Sequence, residues 1–186
     1  MADGREGVDG MPERTWIALL RGVNVGGITI RSAELRELFD ALGFADVLTV
    51  LASGNVRFTA AGERGTLKER IEAALEERFG YDAWIVLVTR EELAAAVAGF
   101  PFDADDADRQ PYVLFSSDPA AIDELAVAAR DLDPDTDPVR ASGEVLYWNP
   151  VKGTTLSTRF AAELARRRYR QVTTTRNLRT LRRLLG

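Results

Sequence analysis

The sequence predicts an α+β fold: tandem ferredoxin-like (βαββαβ) α/β plait subdomains with antiparallel sheets and an extra C-terminal helix. Three observations predict it. Apolar residues fall in strand-length runs and in 3.6-period faces, in the order strand, helix, strand, strand, helix, strand. After an acidic, proline-flanked stretch the order begins again. Finally, the pattern Val-x-Ala-Ser-Gly-x-Val-x-aromatic occurs at the hairpin of each unit, from Val50 to Phe58 and from Val139 to Tyr147. A shared turn chemistry would give the same match, but its place in both units favours a tandem pair.

Residues 1–14 are polar, contain glycines and show no periodicity, so a disordered N-terminal extension is expected. The first subdomain is expected over 15–100. It opens with a buried strand at 16–20, followed by a glycine-rich stretch from Arg21 to Ile30. Leu35, Leu38, Phe39 and Leu42 share one helical face, with Ser32 as the expected N-cap and Gly43 as the stop. Strands at 47–51 and 56–58 flank the turn Ser53-Gly54-Asn55. Leu67, Ile71, Ala74, Leu75 and Phe79 mark a second helix closed by Gly80, and a strand follows at 84–88. A short alanine-rich helix at 91–98 ends the unit, and 101–111 reads as an acidic linker.

The second subdomain is expected over 112–186. It has a strand at 112–115, a helix carrying Ile122, Leu125, Ala126 and Ala129, and a hairpin of 139–141 with 145–148. A helix bearing Phe160 and Leu164 and a short strand at 171–174 follow. The last helix places Leu178, Leu181, Leu184 and Leu185 inward and Arg179, Arg182 and Arg183 outward.

Composition excludes several chemistries. With 186 residues, 46% of them hydrophobic, the chain can bury a sizeable core. No apolar run reaches the roughly 18 residues of a membrane span, so no membrane partner is expected. The opening residues lack the basic and apolar regions of a signal peptide, and a cytoplasmic protein is expected. Cysteine and histidine are both absent, which removes disulfides, thiolate chemistry, Cys/His zinc sites and histidine acid–base catalysis. Asp103-x-Asp105-Asp106-x-Asp108 lacks the central glycine of a calcium loop and has Leu114 where the bidentate acid belongs, so no metal is expected. The net charge of −5 is uneven. Residues 103–137 hold eleven acids against Arg109 and Arg130, whereas 159–183 hold nine arginines against Glu163. These are read as solvated faces that meet one another, or as an arginine surface for phosphates or nucleic acid.

Topology brings the candidate site together. In a ferredoxin-like sheet, the loop after the first strand and the turn between the second and third emerge at the same end. The expected pocket has Arg21 as electrostatic anchor, Gly22, Gly26 and Gly27 allowing close backbone approach, and Asn24 and Asn55 as amide partners. Ser53 lies in the adjoining turn. The plain alternative is a glycine turn in which Asn24 takes a left-handed conformation and Arg21 pairs with a carboxylate such as Glu34. The loop is neither a Walker loop nor a dinucleotide fingerprint.

Ala18-Leu19-Leu20-Arg21-Gly22-Val23-Asn24-Val25-Gly26-Gly27, Glu34-Leu35, Leu42-Gly43-Phe44, Ser53-Gly54-Asn55-Val56 with Phe58, and Thr175-Arg176-Asn177 together resemble the bacterial domain of unknown function 1697 family. The resemblance runs from about Thr15 to the end. It implies a cytoplasmic protein of two ferredoxin-like subdomains with no established activity. It also adds Arg176 and Asn177 to the candidate ligand-binding residues, although the plainer reading is Asn177 as a cap of the last helix and Arg176 in a salt bridge. Many members carry lysines where this chain has Ile28-Thr29-Ile30, and an aromatic where it has Leu178.

Three functions follow. The first is a module binding a phosphate-bearing small molecule. The second is nucleic-acid binding through the C-terminal arginines. The third is a histidine-independent enzyme, with catalytic residues, cofactor and oligomeric state unassigned.

Overall fold

Strand β1, Arg14–Arg21, is apolar from Trp16 to Leu20 without alternation because both of its faces are buried, each of these residues being at most 3% exposed. The computed structural model describes residues 11–22, 29–51, 54–80 and 82–186. The strand starts one residue inside the expected extension, where Arg14 pairs with Ala60; residues 1–10 lie outside the described ones.

The first unit continues with α1 (Ser32–Ala41), β2 (Ala45–Thr49), β3 (Asn55–Ala60), α2 (Arg64–Phe79), β4 (Trp84–Thr89) and α3 (Arg90–Ala98). The second holds β5 (Tyr112–Ser116), α4 (Pro119–Ala128), β6 (Val139–Ser142), β7 (Val145–Trp148), α5 (Arg159–Leu164), α6 (Arg167–Arg170), β8 (Thr173–Asn177) and α7 (Leu178–Leu185). The sheets are ordered β2-β3-β1-β4 and β6-β7-β5-β8, and every pairing is antiparallel. In each, the first strand of its unit is central, as the βαββαβ order requires. The fold is two tandem ferredoxin-like plaits with an added C-terminal helix.

Three apolar clusters organise the layers. Trp16, Ala18 and Leu20 face α1 and α2 through Leu35, Phe39, Ile71 and Leu75. Leu114, Leu146 and Trp148 face α4, α5 and α6 through Ile122, Leu125, Phe160 and Tyr169. The remaining faces share a third cluster: Ile17, Leu19, Val86 and Val88 from one sheet, Val113, Phe115 and Tyr147 from the other. Leu93 and Ala96 of α3 and Leu178, Leu181 and Leu184 of α7 complete it. The two plaits therefore have one common core as well as one each.

Helix α7 is locked from the first unit. Arg57 of β3 donates to the Leu184 carbonyl at 3.0 Å and Arg90 of α3 to the Leu185 carbonyl at 3.2 Å. Both supply donors to carbonyls that a helix C-terminus leaves without intrahelical partners, and their charge suits that end of the dipole.

Several local expectations change. Arg31, not Ser32, is the N-cap of α1, and its N–H donates to the Glu34 carboxylate at 3.0 Å. The last strand runs two residues later than expected at its start, at Thr173–Asn177. Segment 101–111 contains no helix or strand, yet Phe102 and Ala104 pack on the shared core and the Gln110 N–H donates to the Pro150 carbonyl at 3.0 Å. The carboxylates of Asp103 and Asp106 accept the N–H groups of Asp105 and Asp108, each at 2.9 Å. The oppositely charged segments meet in the ion pair Arg168–Glu124, at 3.5 Å.

The sequence repeat is a turn, not a superposable strand pair. Gly54 and Gly143 both adopt positive φ, 69° and 59°. Val56 and Phe58, however, point to the outer helices, whereas Val145 and Tyr147 point into the shared core. A one-residue offset in an extended strand exchanges its faces, so the two patterns match in letters and oppose in direction.

Candidate functional site

The end of β1 is where the sequence reading placed the pocket. The Leu20 N–H donates to the Gly54 carbonyl at 2.8 Å, and Asn55 stands opposite Leu19 in the register. The start of the glycine stretch and the β2–β3 turn are thus neighbours. Gly22 has φ of 75°, a conformation for which glycine carries no steric penalty. Leu51, at the mouth of the turn, has φ of 59°, which is uncommon for a non-glycine residue. Asn24, Gly26, Gly27 and Ser53 lie outside the described residues.

Strand β8 of the second unit delivers Arg176 to this spot. Its Nε donates to Asn55 Oδ1 at 2.6 Å, and its Nη2 donates to the Leu20 carbonyl. Nη1 donates to Thr174 Oγ1 at 2.6 Å and to the Thr175 carbonyl at 3.0 Å. The guanidinium bridges β1, the β2–β3 turn and β8 in place of the simple salt bridge the sequence suggested. Asn55 is fully buried, and its Nδ2 donates to the Val50 carbonyl at 3.0 Å. With its oxygen on Arg176 and its nitrogen on Val50, Asn55 positions the arginine.

Arg21, the last residue of β1, donates through Nη1 to the Thr173 carbonyl at 2.6 Å. Among the described residues that is the one hydrogen bond of its five-donor guanidinium, and no carboxylate lies within ion-pair distance. Glu34 accepts the Arg31 N–H, and the alternative local pair with Arg21 does not form.

The electrostatics are those of crowded cations. Desolvation, then the charge of Arg21, pulls Arg176 from the usual guanidinium range down to about 10. Desolvation, then the charge of Arg170, lowers Arg21 as well. Arg170, at the end of α6, is exposed and was not singled out from sequence. Nothing in the local pattern marks it, because its approach to Arg21 depends on how the two plaits dock. Asn177 contributes differently: its Oδ1 accepts the Arg179 N–H at 2.9 Å and caps α7. That side chain is used by the fold.

A family model described as a protein of unknown function, DUF1697, matches residues 14–147. The chain belongs to this family. The DUF1697 match includes Arg21, Gly22 and Asn55 but stops short of Thr175-Arg176-Asn177, so Arg176 enters the site on geometry alone. The chain is similar to a solved structure described as that of conserved bacterial protein SP0830 from Streptococcus pneumoniae, with a TM-score of 0.77 and 22% identity. That likeness covers 94% of this chain and 98% of the other, and at this identity it shows the fold. No curated protein matches the chain in sequence. Among the described residues no helix is long and apolar enough to cross a membrane.

Proposed function

We propose that this DUF1697 chain is a binding module for a phosphate-bearing small molecule, taken at the end of β1. One observation carries the reading: Arg21 and Arg176, from different plaits, reach across β1 and β8, Arg21 to the Thr173 carbonyl and Arg176 to the Leu20 carbonyl, and so bring two positive charges together. Like charges held together in low dielectric repel strongly, and an anion placed between them relieves that repulsion. Arg21 has donors to spare among the described residues, and Gly22 lets the backbone turn sharply beside it. Arg176 is already engaged by Asn55, Leu20, Thr174 and Thr175, so it supplies field and Arg21 supplies contact.

The test is thermal stability against inorganic phosphate, sugar phosphates and nucleotides. A ligand at ~100 times its dissociation constant stabilises the chain by about 2.7 kcal/mol. Arg21→Gln should abolish that gain. An equal gain in the variant, or none across the panel in the parent chain, rejects the reading.

A second reading rests on α7. Arg179, Arg182 and Arg183 are exposed on its outer side, and among the described residues no carboxylate lies within ion-pair distance of them. Such a row suits a nucleic-acid backbone.

A further inference from the structure

A cavity of about 580 Å³ opens at the β4 edge of the shared core, with no residue in common with the arginine cluster. Its floor is apolar: Val86, Val88, Phe115 and Val145. The mouth is framed by the first turns of α2, which place Arg64, Gly65 and Lys68 on one side, and by the β6–β7 hairpin on the other. A volume of this size falls within the ~300–1,000 Å³ of small-molecule sites.

One wall group distinguishes it from a packing gap. Tyr147 is 2% exposed, and its ring is held edge-on by Phe100 at 5.7 Å. Its hydroxyl lies against Gly99, where a Cβ would approach it to 2.7 Å. Among the described residues this hydroxyl makes no hydrogen bond, although it is a cavity wall group on a buried side chain. Burial pushes its pKa up, so it stays protonated as a donor. A donor that ends a buried side chain and opens onto a cavity is satisfied there, by water or by a ligand.

The rim does not favour a charged guest. Arg64 is paired with Glu92 and Lys68 with Glu72, each at 2.5 Å, and Glu144 faces them across the mouth. We infer that this cavity is a binding site for an uncharged, largely apolar small molecule that carries one hydrogen-bond acceptor for the Tyr147 hydroxyl.

Prodan, a neutral naphthalene ketone whose emission shifts blue out of water, is a direct probe for the full chain. Saturable one-site binding with blue-shifted emission is expected. Tyr147→Phe should weaken it by about tenfold, the order of one hydrogen bond to a buried polar group. Gly65→Trp should weaken it by roughly tenfold or more, because a side chain at Gly65 projects into open space at the mouth. The same change favours α2, so its urea midpoint should match or exceed the parent's. Three results would overturn the inference: no saturable prodan binding, unchanged affinity in either variant, or tighter binding of the anionic analogue anilinonaphthalene sulfonate. A lowered urea midpoint in Gly65→Trp would shift the decision to Tyr147→Phe, which removes one atom from the wall.

Discussion

Arg176 joins both plaits through a single side chain, and its protonation sets the field it lends to the anion site. Its charged form is the disfavoured one in the folded chain, because its pKa is lowered. The associated cost is present below about pH 10 and fades as pH rises above it towards the usual guanidinium range. A bound anion raises that pKa, so anion binding and protonation are linked. Affinity for a phosphate monoester should therefore be level from about pH 7 to 9 and fall as pH passes about 10, as read by calorimetry. A flat profile beyond that point would show that Arg176 does not feel the ligand. From the sequence, Arg21 and Asn55 could be placed together because strand order alone puts their ends side by side. The hydrogen bond from Arg176 to Asn55 could not, since it spans 121 positions and depends on how the plaits dock.

Helix α7 was legible in its periodicity: Leu178, Leu181 and Leu184 are buried and Arg179, Arg182 and Arg183 exposed, as the spacing predicts. Its location was not, because an apolar face specifies only that something covers it. Here two sheets and α3 cover it. The same element carries the nucleic-acid reading, so the test belongs to it. Arg182→Ala/Arg183→Ala should leave stability nearly unchanged, within about 0.5 kcal/mol per site for exposed positions. If single-stranded DNA lies along α7, the slope of log affinity against log salt should become shallower by ~1.4, two contacts at ~0.7 each. An unchanged slope removes that surface from consideration. The hairpins teach a related lesson. Ser-Gly recurs because each turn needs a left-handed glycine, while the strands that follow face opposite ways, so letter identity tracked backbone conformation and not side-chain environment.

At the scale of the molecule, the two plaits were legible and their union was not. Local periodicity supplies each sheet with its own helices, but the doubly apolar runs of β1 and β4 were the sole sign of a second covering layer. Because Ile17, Val86, Val113 and Leu181 belong to one cluster, the halves should not melt separately. Urea unfolding followed by tryptophan fluorescence, which has Trp16 and Trp84 in one plait and Trp148 in the other, should coincide with unfolding followed by far-ultraviolet circular dichroism. Two separated transitions would mean that the shared cluster contributes little.

The anchoring of α7 by Arg57 and Arg90 has a consequence for biosynthesis. Both arginines belong to the first plait, yet the carbonyls they hold come after every strand of the second. While the chain is being translated, the inner face of the first sheet can gain α3 early but must wait for α7. Until then Ile17, Leu19, Val86 and Val88 present an apolar surface to solvent or to a chaperone. Closure of the shared core therefore waits on α7: a core begun by β1 is sealed only when Arg57 and Arg90 have carbonyls of α7 to hold.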